Sequence, residues 1–333
     1  MERVKVLIAG GAGFIGSTIA SACLDAGVTP VIVDNLVTGR REFTEGRIFY
    51  EGDISDAALI GKVFAEHPEI TAAIHCAALI VVPESVSRPI HYYRENVSKT
   101  LEFAAALIEQ GCRRLVFSSS AAIYRPGEDF TVDEQSSLEP LSPYARTKAM
   151  VEQMLADVTA AHDLSVLSLR YFNPIGADPA LRTGLQLPSP SHALGKIISA
   201  YESGQPFTIT GTDYPTRDGT GIRDYIHVWD LAQAHLAALD RFDQVLDGAH
   251  GHRAINLGTG TGTTVRELVA AFESAAGVTL PVVEVDRRPG DTVGAYTRSS
   301  LAYDLLGWKA QMSIEQGIRD SLCWSKKRPQ VLG

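Results

Sequence analysis

The 333-residue sequence predicts a doubly wound α/β fold: a parallel sheet with helices on both faces, followed by a second, smaller α/β domain. Three observations predict it. Short apolar runs of strand length alternate with helical patterns through the first half of the chain. The first run, Val4 to Ala9, breaks into a glycine-rich turn, Gly10-Gly11-Ala12-Gly13-Phe14-Ile15-Gly16, which opens a helix continuing to about Asp25. The second run, Pro30 to Val33, ends in Asp34-Asn35, with Asp34 eighteen residues after Gly16. That arrangement suits a dinucleotide.

Within the turn, Gly10 permits a tight reversal, Gly13 lets backbone approach a pyrophosphate, and Gly16 lets helix pack close on strand. The helix N-terminus then faces the negative charge, beside Phe14 and Ile15. A carboxylate at Asp34 accepts from ribose hydroxyls and repels a 2′-phosphate, so NAD is expected rather than NADP. Arg40 and Arg41 follow closely and are the cations that would favour the opposite choice.

Four more strands follow. Ile48 to Tyr50 is the third, with Asp53 and Ile54 placed to frame the adenine. Ala73 to His75 is the fourth, and the small residues Ala77 and Ala78 after it let a dinucleotide lie against backbone. His75 and Cys76 read as satisfied core residues, since no partners stand at metal-ligand spacing. Arg114 to Phe117 is the fifth and runs into Ser118-Ser119-Ser120. Ser165 to Arg170 is the sixth, ending in Tyr171-Phe172-Asn173-Pro174. Serines after a strand are ordinarily turn chemistry, but in this topology strand ends face the nicotinamide.

The stretch Leu141 to Met150 reads as the opening of a helix, with Ser142 at the N-cap and Pro143 in the first turn. Tyr144 and Lys148 are four apart and share a face. A phenol titrates near pH ~10. A fixed ammonium beside it favours phenolate and brings it towards the working range. Ser120 is placed to reach the same substrate oxygen.

Composition narrows the function. The chain is 45% hydrophobic and 21% charged, with formal net charge -9, which argues against nucleic acid and anionic membrane as partners. No apolar run approaches the ~20 residues of a membrane span. The first residues run straight into a strand, leaving no room for a signal peptide. Cys23, Cys76, Cys112 and Cys323 are scattered without a CxxC, which predicts a reduced, cytoplasmic protein with no metal site.

Together these pieces resemble the extended short-chain dehydrogenase/reductase family, and within it the UDP-hexose 4-epimerases. The likeness rests on Gly10 to Gly16, Asp34-Asn35, Ser118-Ser119-Ser120-Ala121, Tyr144-x3-Lys148 and Arg170-Tyr171-Phe172-Asn173-Pro174, and runs along nearly the whole chain. Its most specific piece is Asp213 to Val228, which resembles the UDP-glucose 4-epimerase branch. The resemblance implies a Rossmann-like NAD domain over residues 1–173, rejoined around 228–260, and a UDP-sugar domain over 174–333. It implies that Tyr144 is the base, assisted by Ser120 and Lys148, and that NAD stays bound through a reaction with no net redox change. It adds Asn96, Ser118, Tyr171 and Phe172 to the cofactor site. For the UDP-sugar it implies Ala121, Ala122, Asn173, His192, Thr208, Arg223, Arg288 and Asp291, with the two arginines on the diphosphate, where their fork geometry suits phosphate. His227 reads as structural. A homodimer through helices around residues 91–110 and 143–160 is also implied.

The chain departs from the family pattern at Ile80, where a lysine is usual, at His192-Ala193 in place of Asn-Leu, at Thr210 in place of an aromatic residue, at Arg125 in place of a glycine, and at Ala295 in the sugar pocket. All bear on the identity of the sugar. Arg125 is either solvated or paired with Glu128 or Asp129, or else it meets a C6 carboxylate, as in UDP-glucuronate. Ala295 makes room that would suit an N-acetyl group, as in UDP-N-acetylglucosamine. A sugar-nucleotide 4,6-dehydratase needs an acid/base pair beside the serine, where this chain has Ala121 and Ala122. An NAD-sensing module would not need Ser120, Tyr144 and Lys148 together.

Overall fold

The computed structural model describes residues 4–188, 190–248, 250–287 and 292–333. The first half alternates as expected: β1 (Lys5–Ala9), α1 (Phe14–Asp25), β2 (Thr29–Asp34), β3 (Ile48–Glu51), α2 (Ala57–Glu66), β4 (Ile70–His75), the short α3 (Val82–Ser87) and α4 (Pro89–Tyr93), α5 (Lys99–Glu109) and β5 (Arg114–Ser118). A two-residue β6 (Thr131–Val132) precedes α6 (Pro143–Ala161) and β7 (Ser165–Tyr171). The second half comprises β8 (Asn173–Ile175), α7 (Ala193–Ser203), β9 (Phe207–Thr210), β10 (Ile222–His227), α8 (Val228–Asp240), α9 (Phe242–Val245), β11 (His252–Leu257), β12 (Gly262–Thr264), α10 (Val265–Ala276), β13 (Val282–Val285), β14 (Tyr296–Thr297), α11 (Leu301–Leu306) and α12 (Ile314–Leu332).

Seven strands form one parallel sheet in the order β11-β7-β5-β4-β1-β2-β3. Successive side chains of a strand point to opposite faces, and both faces are covered here. Ile8, Ile32, Ile74, Val116 and Leu167 pack with α1 and α8 on one side. Leu7, Val31, Ala73, Leu115 and Val166 pack with α2, α5 and α6 on the other. This double burial is why the strands read as unbroken apolar runs. The chain reverses its direction of winding at β1, so the loops after β1 and β4 diverge and leave a crevice at the strand ends.

The sequence carries Asn173-Pro174 as the tail of the sixth strand. In the structure β7 stops at Tyr171, and Asn173 opens β8, which pairs in parallel with β10 in a separate sheet of order β12-β10-β8. A third core gathers there between α7, α10 and α12, around Leu194, Ile197, Phe272 and Ile318. The return to the large sheet is made by β11, paired with β7 along its length. Among the described residues no helix is long and apolar enough to cross a membrane.

Candidate active site

The glycine turn leaves β1 against the loop after β4. Gly10 has φ +80°, and a Cβ built on it would lie 2.5 Å from the Ala77 nitrogen, so neither conformation nor space admits a side chain. A Cβ on Gly16 would lie 2.2 Å from the Gly10 carbonyl oxygen, the close approach of helix to strand end. No side chain caps α1 at Gly13, so its first-turn N–H groups at Phe14 and Ile15 carry no side-chain acceptor and suit an anion.

Asp34 is buried at the tip of β2. Its Oδ2 accepts from the Ala12 N–H at 2.9 Å and its Oδ1 from the Leu36 N–H at 2.8 Å. Burial raises its pKa, opposed by those two donors. Each oxygen keeps a lone pair for a ribose hydroxyl. Arg40 instead donates to Glu42 and to the Leu332 carbonyl, and Arg41 pairs with Glu51, so both cations of this loop are engaged. Asn35 donates to Asp53 at 3.1 Å, and Lys99 reaches the same carboxylate at 2.6 Å. Against partial burial, the Lys99 and Ser55 donors hold the Asp53 carboxyl down at about 2. Ile54 is buried beside it. The uncapped helix start, the small-residue walls at Ala77 and Ala78 and the acidic strand tip fit a dinucleotide.

Ser120, Tyr144 and Lys148 come together at the end of β5. The Ser142 side chain caps α6 by accepting from the Ala145 N–H at 3.1 Å, which fixes where the helix starts and places Tyr144 and Lys148 on its inner face. Lys148 is buried; its Nζ donates to the Ser118 carbonyl at 2.8 Å and lies over the Phe117 ring. The Ser120 hydroxyl stands close enough to the Tyr144 phenol to draw its pKa down. Ser120 in turn accepts from the Ala122 N–H at 3.2 Å and caps the single turn Ala121–Ile123. Asn96 is buried and ties the Leu79 backbone to Thr147 of α6, at 2.8 Å, 2.9 Å and 3.0 Å. The Ser118 hydroxyl meets Cys76 and His235 at the back of the site.

One expectation about electrostatics changes. The sequence reading has Lys148 drawing the Tyr144 phenol down. In the structure burial raises the Tyr144 pKa, and the one lowering influence is the Ser120 hydroxyl. Lys148 has itself been pushed down to about 8 by burial. The physical reason is burial: it penalises the charged forms of both the phenol and the ammonium. His75 is likewise only half satisfied: Nε2 meets Thr100 at 2.8 Å, while buried Nδ1 has no partner.

On the substrate side, Ala121 is buried, Ala122 exposed and Asn173 half-buried at the start of β8. Tyr171 and Phe172, at the end of β7, are half-buried beside them. His192 caps α7, its Nδ1 accepting from the Gly195 N–H at 3.2 Å. That bond leaves the proton on Nε2, which is buried without a protein partner. Thr208 lies exposed on β9. Arg223 donates to the carbonyls of Ile222, Val293 and Thr292. Arg288 and Asp291 fall outside the described residues. Arg125 is 71% exposed and pairs with Glu139 at 3.2 Å, rather than with Glu128 or Asp129. Its loop returns beside Glu139 because the Glu139 N–H donates to the Ile123 carbonyl. Ile80 is 60% exposed, and Ala295 packs against the small core formed by Ala121, Ile123, Tyr124 and Val132. His227 caps α8 and meets Asp320 at 3.0 Å, a structural placement. No three His, Cys, Asp or Glu side chains converge on a metal position among the described residues.

Known proteins share this fold and much of this sequence. The model of the NAD dependent epimerase/dehydratase family matches residues 6–258. The chain belongs to that family. It is 42% identical to a UDP-glucose 4-epimerase of Azospirillum brasilense, over 99% of this chain and 94% of that one. It is 41% identical to the enzyme of that name from Bacillus subtilis, over 96% of each. Among solved structures, the UDP-glucose 4-epimerase of Stenotrophomonas maltophila with bound NAD and formylated UDP-arabinopyranose superposes with TM-score 0.92 at 38% identity, over 98% of this chain and 99% of that one. The Bifidobacterium longum enzyme in complex with NAD+ and UDP gives 0.89 at 35%, over 98% and 99%.

This member of the epimerase/dehydratase family also carries groups that reading the sequence passed over. Glu152 lies on the inner face of α6, four residues beyond Lys148, and Arg170 is the penultimate residue of the buried β7. They form a buried ion pair under the serine turn. The signal was present: a charge on an apolar helix face and another in a strand covered on both sides need each other.

Proposed function

We propose that this NAD-dependent epimerase/dehydratase family member interconverts the 4-epimers of a UDP-hexose, with UDP-glucose and UDP-galactose as its pair. The reading rests on one observation above the others. Tyr144, Ser120 and Lys148 meet at the end of β5, beside a glycine turn suited to a dinucleotide, in a chain similar to 4-epimerases from end to end.

When bound, NAD supplies the acceptor and the donor for a hydride. The protein's own side chains manage the proton and the geometry. Tyr144 takes the proton of the 4-hydroxyl and returns it to the other epimer. Ser120, which stands beside Tyr144, bridges to the same oxygen and lowers the phenol's pKa. Lys148 keeps α6, and with it Tyr144, seated on the end of β5. Gly13, Phe14, Ile15, Asp34 and Asn35 would hold the adenosine and pyrophosphate. His192, Asn173 and Arg223 would take the UDP, Arg223 by exchanging its carbonyl partners for phosphate.

Two further features belong to this reading. A homodimer forms through the helices around residues 91–110 and 143–160, supported by the exposed apolar side chains of Ile90, Leu101 and Met150. The protein works in the cytoplasm, supported by four cysteines that all remain free.

The test is to incubate purified protein with UDP-galactose and no added nucleotide, and to resolve the products by anion-exchange chromatography. UDP-glucose should appear without a net change in nicotinamide absorbance. No conversion by protein shown to retain NAD would overturn the proposal.

A further inference from the structure

The ion pair beneath the serine turn reaches every segment that carries a reacting group. Arg170 Nε donates to the two Glu152 carboxylate oxygens at 2.9 and 3.1 Å, and a second nitrogen joins it on Glu152. The remaining arm donates to the Tyr124 hydroxyl at 2.8 Å. Tyr124 donates onward to Asn256 Oδ1 at 2.6 Å, and the Asn256 N–H donates to Glu134 at 2.7 Å. Glu152 also accepts from the Ser119 hydroxyl. Both charged side chains are almost sealed from water, at 5% and 8% exposure.

Burying two charges is costly, and an apolar pair of similar volume is often as stable, so the fold by itself gives weak reason for this pair. The reacting geometry gives a stronger one. Ser120 stands at a strand end and Tyr144 on a helix, and a helix has no ladder bonds to offer a strand. Besides the Ser120–Tyr144 contact itself, two hydrogen bonds join residues 117–121 to α6 among the described residues. Lys148 makes one, to the Ser118 carbonyl, and Glu152 makes the other, to Ser119. Lys148 has a chemical task of its own. Glu152 has none, and it sits eight residues after Tyr144 on the same helix face.

We propose that Glu152 and Arg170 are a positioning pair: by holding Ser119 from below they set Ser120 against Tyr144. Neither touches substrate. Tyr124, whose phenol burial pushes up to about 12, stays protonated in this chain of bonds and does not compete as a base. The inference rests on the epimerase reading above.

The test compares Ser119→Ala, which removes one hydroxyl and leaves the ion pair intact, with the double replacement Glu152→Leu/Arg170→Met, which removes the charges and keeps the volume. The readouts are thermal midpoint, retained NAD, kcat and KM for UDP-galactose, and the pH dependence of kcat. Ser119→Ala should keep its midpoint and its NAD while kcat falls ~10-fold or more at nearly constant KM, the scale of a small misplacement of reacting groups. The acid limb of kcat should also move to higher pH, because Tyr144 loses part of the Ser120 contact that lowers its pKa. The double replacement should reproduce both effects; if it does not fold, Ser119→Ala decides. An unchanged kcat and limb in Ser119→Ala, with the parent protein active, would overturn the positioning role and leave the epimerase reading standing. An inactive parent that retains NAD would count against the reading instead.

Discussion

Lys148 donates from Nζ to the main-chain carbonyl of Ser118 at 2.8 Å, so the helix carrying Tyr144 is fastened to the strand end that leads to Ser120. The bond fixes where positive charge sits relative to the phenol. It also takes up part of the ammonium's capacity, and burial has already pushed Lys148 down to about 8. The downward pull on Tyr144 comes from Ser120.

It follows that Tyr144→Phe should remove the base while sparing the fold, since the Tyr144 side chain caps nothing and its ring remains. Turnover should fall by ~10² or more, the usual scale for a lost general base. Retained NAD and the circular dichroism spectrum should not change. Ser120→Ala should cost less alone, because Tyr144 still reaches the oxygen. Near-normal turnover by the Tyr144 variant would remove it from the chemistry.

The second prediction concerns the cofactor. Asp34 holds the Ala12 and Leu36 N–H groups and offers the remaining lone pairs to ribose. Wild-type protein should therefore epimerise with no added nucleotide. Asp34→Ala should lose ~10-fold or more in NAD affinity, from charge-assisted bonds worth ~1.5–3 kcal/mol, and should need added NAD to work. Activity that tracked added NADPH, with a net change in absorbance, would make the protein a reductase.

Much of this site was legible in the sequence because its parts are local. A glycine turn, an acidic strand tip, a capped helix start and a Tyr-x3-Lys are each set by a few neighbouring residues, and α1, α6 and the strand ends lie where those signals put them. What escaped was non-local. Asn173 leaves the large sheet because β10 offers it a partner more than fifty residues later, between Tyr225 and His227. The Arg125–Glu139 pair depends on how a loop folds back, and the Glu152–Arg170 pair on how helix and strand meet. For Glu152 and Arg170 the sequence shows two charges in apolar surroundings that each need a partner, but spacing alone does not say which partner.

The third prediction is an acid one. Burial pushes His75 down to about 3, and His192 and His235 to about 4. In the unfolded chain each titrates near ~6.5. Between those values the unfolded state binds protons that the folded state refuses, so stability falls as pH falls. Each histidine should contribute a slope of ~1.4 kcal/mol per pH unit once pH drops below about 6. Asp53, held at about 2, adds its own loss only at lower pH, below its unfolded value near ~3.9. Urea unfolding at stepped pH should show the slope, and His235→Gln should reduce it by one histidine's share, ~1.4 kcal/mol per pH unit. A flat profile from neutrality down to the carboxylate range would mean that these rings take up protons without unfolding.

The last prediction concerns the sugar. A C6 carboxylate on the substrate would need a cation facing the reacting carbon, and Arg125 was the candidate, one residue past Tyr124. Tyr124 points inward to Arg170 and Asn256, and the next side chain along the extended backbone turns outward, where Arg125 meets Glu139. An ion pair this exposed is worth ~0–1 kcal/mol and is screened by salt. Arg125→Gly should therefore change kcat/KM little, and equally for UDP-glucose, UDP-glucuronate and UDP-N-acetylglucosamine. Ala295 is the residue placed to discriminate. It packs against the small core of Ala121, Ile123, Tyr124 and Val132 beside the serine turn, and on the proposed reading a larger side chain there would take space from the sugar. Ala295→Tyr should cut kcat/KM for UDP-N-acetylglucosamine more than for UDP-glucose, by the ~1–3 kcal/mol that pocket volume commonly discriminates. Steady-state kinetics on the three sugars decides both points: a loss confined to UDP-glucuronate in Arg125→Gly would bring that arginine back to the substrate.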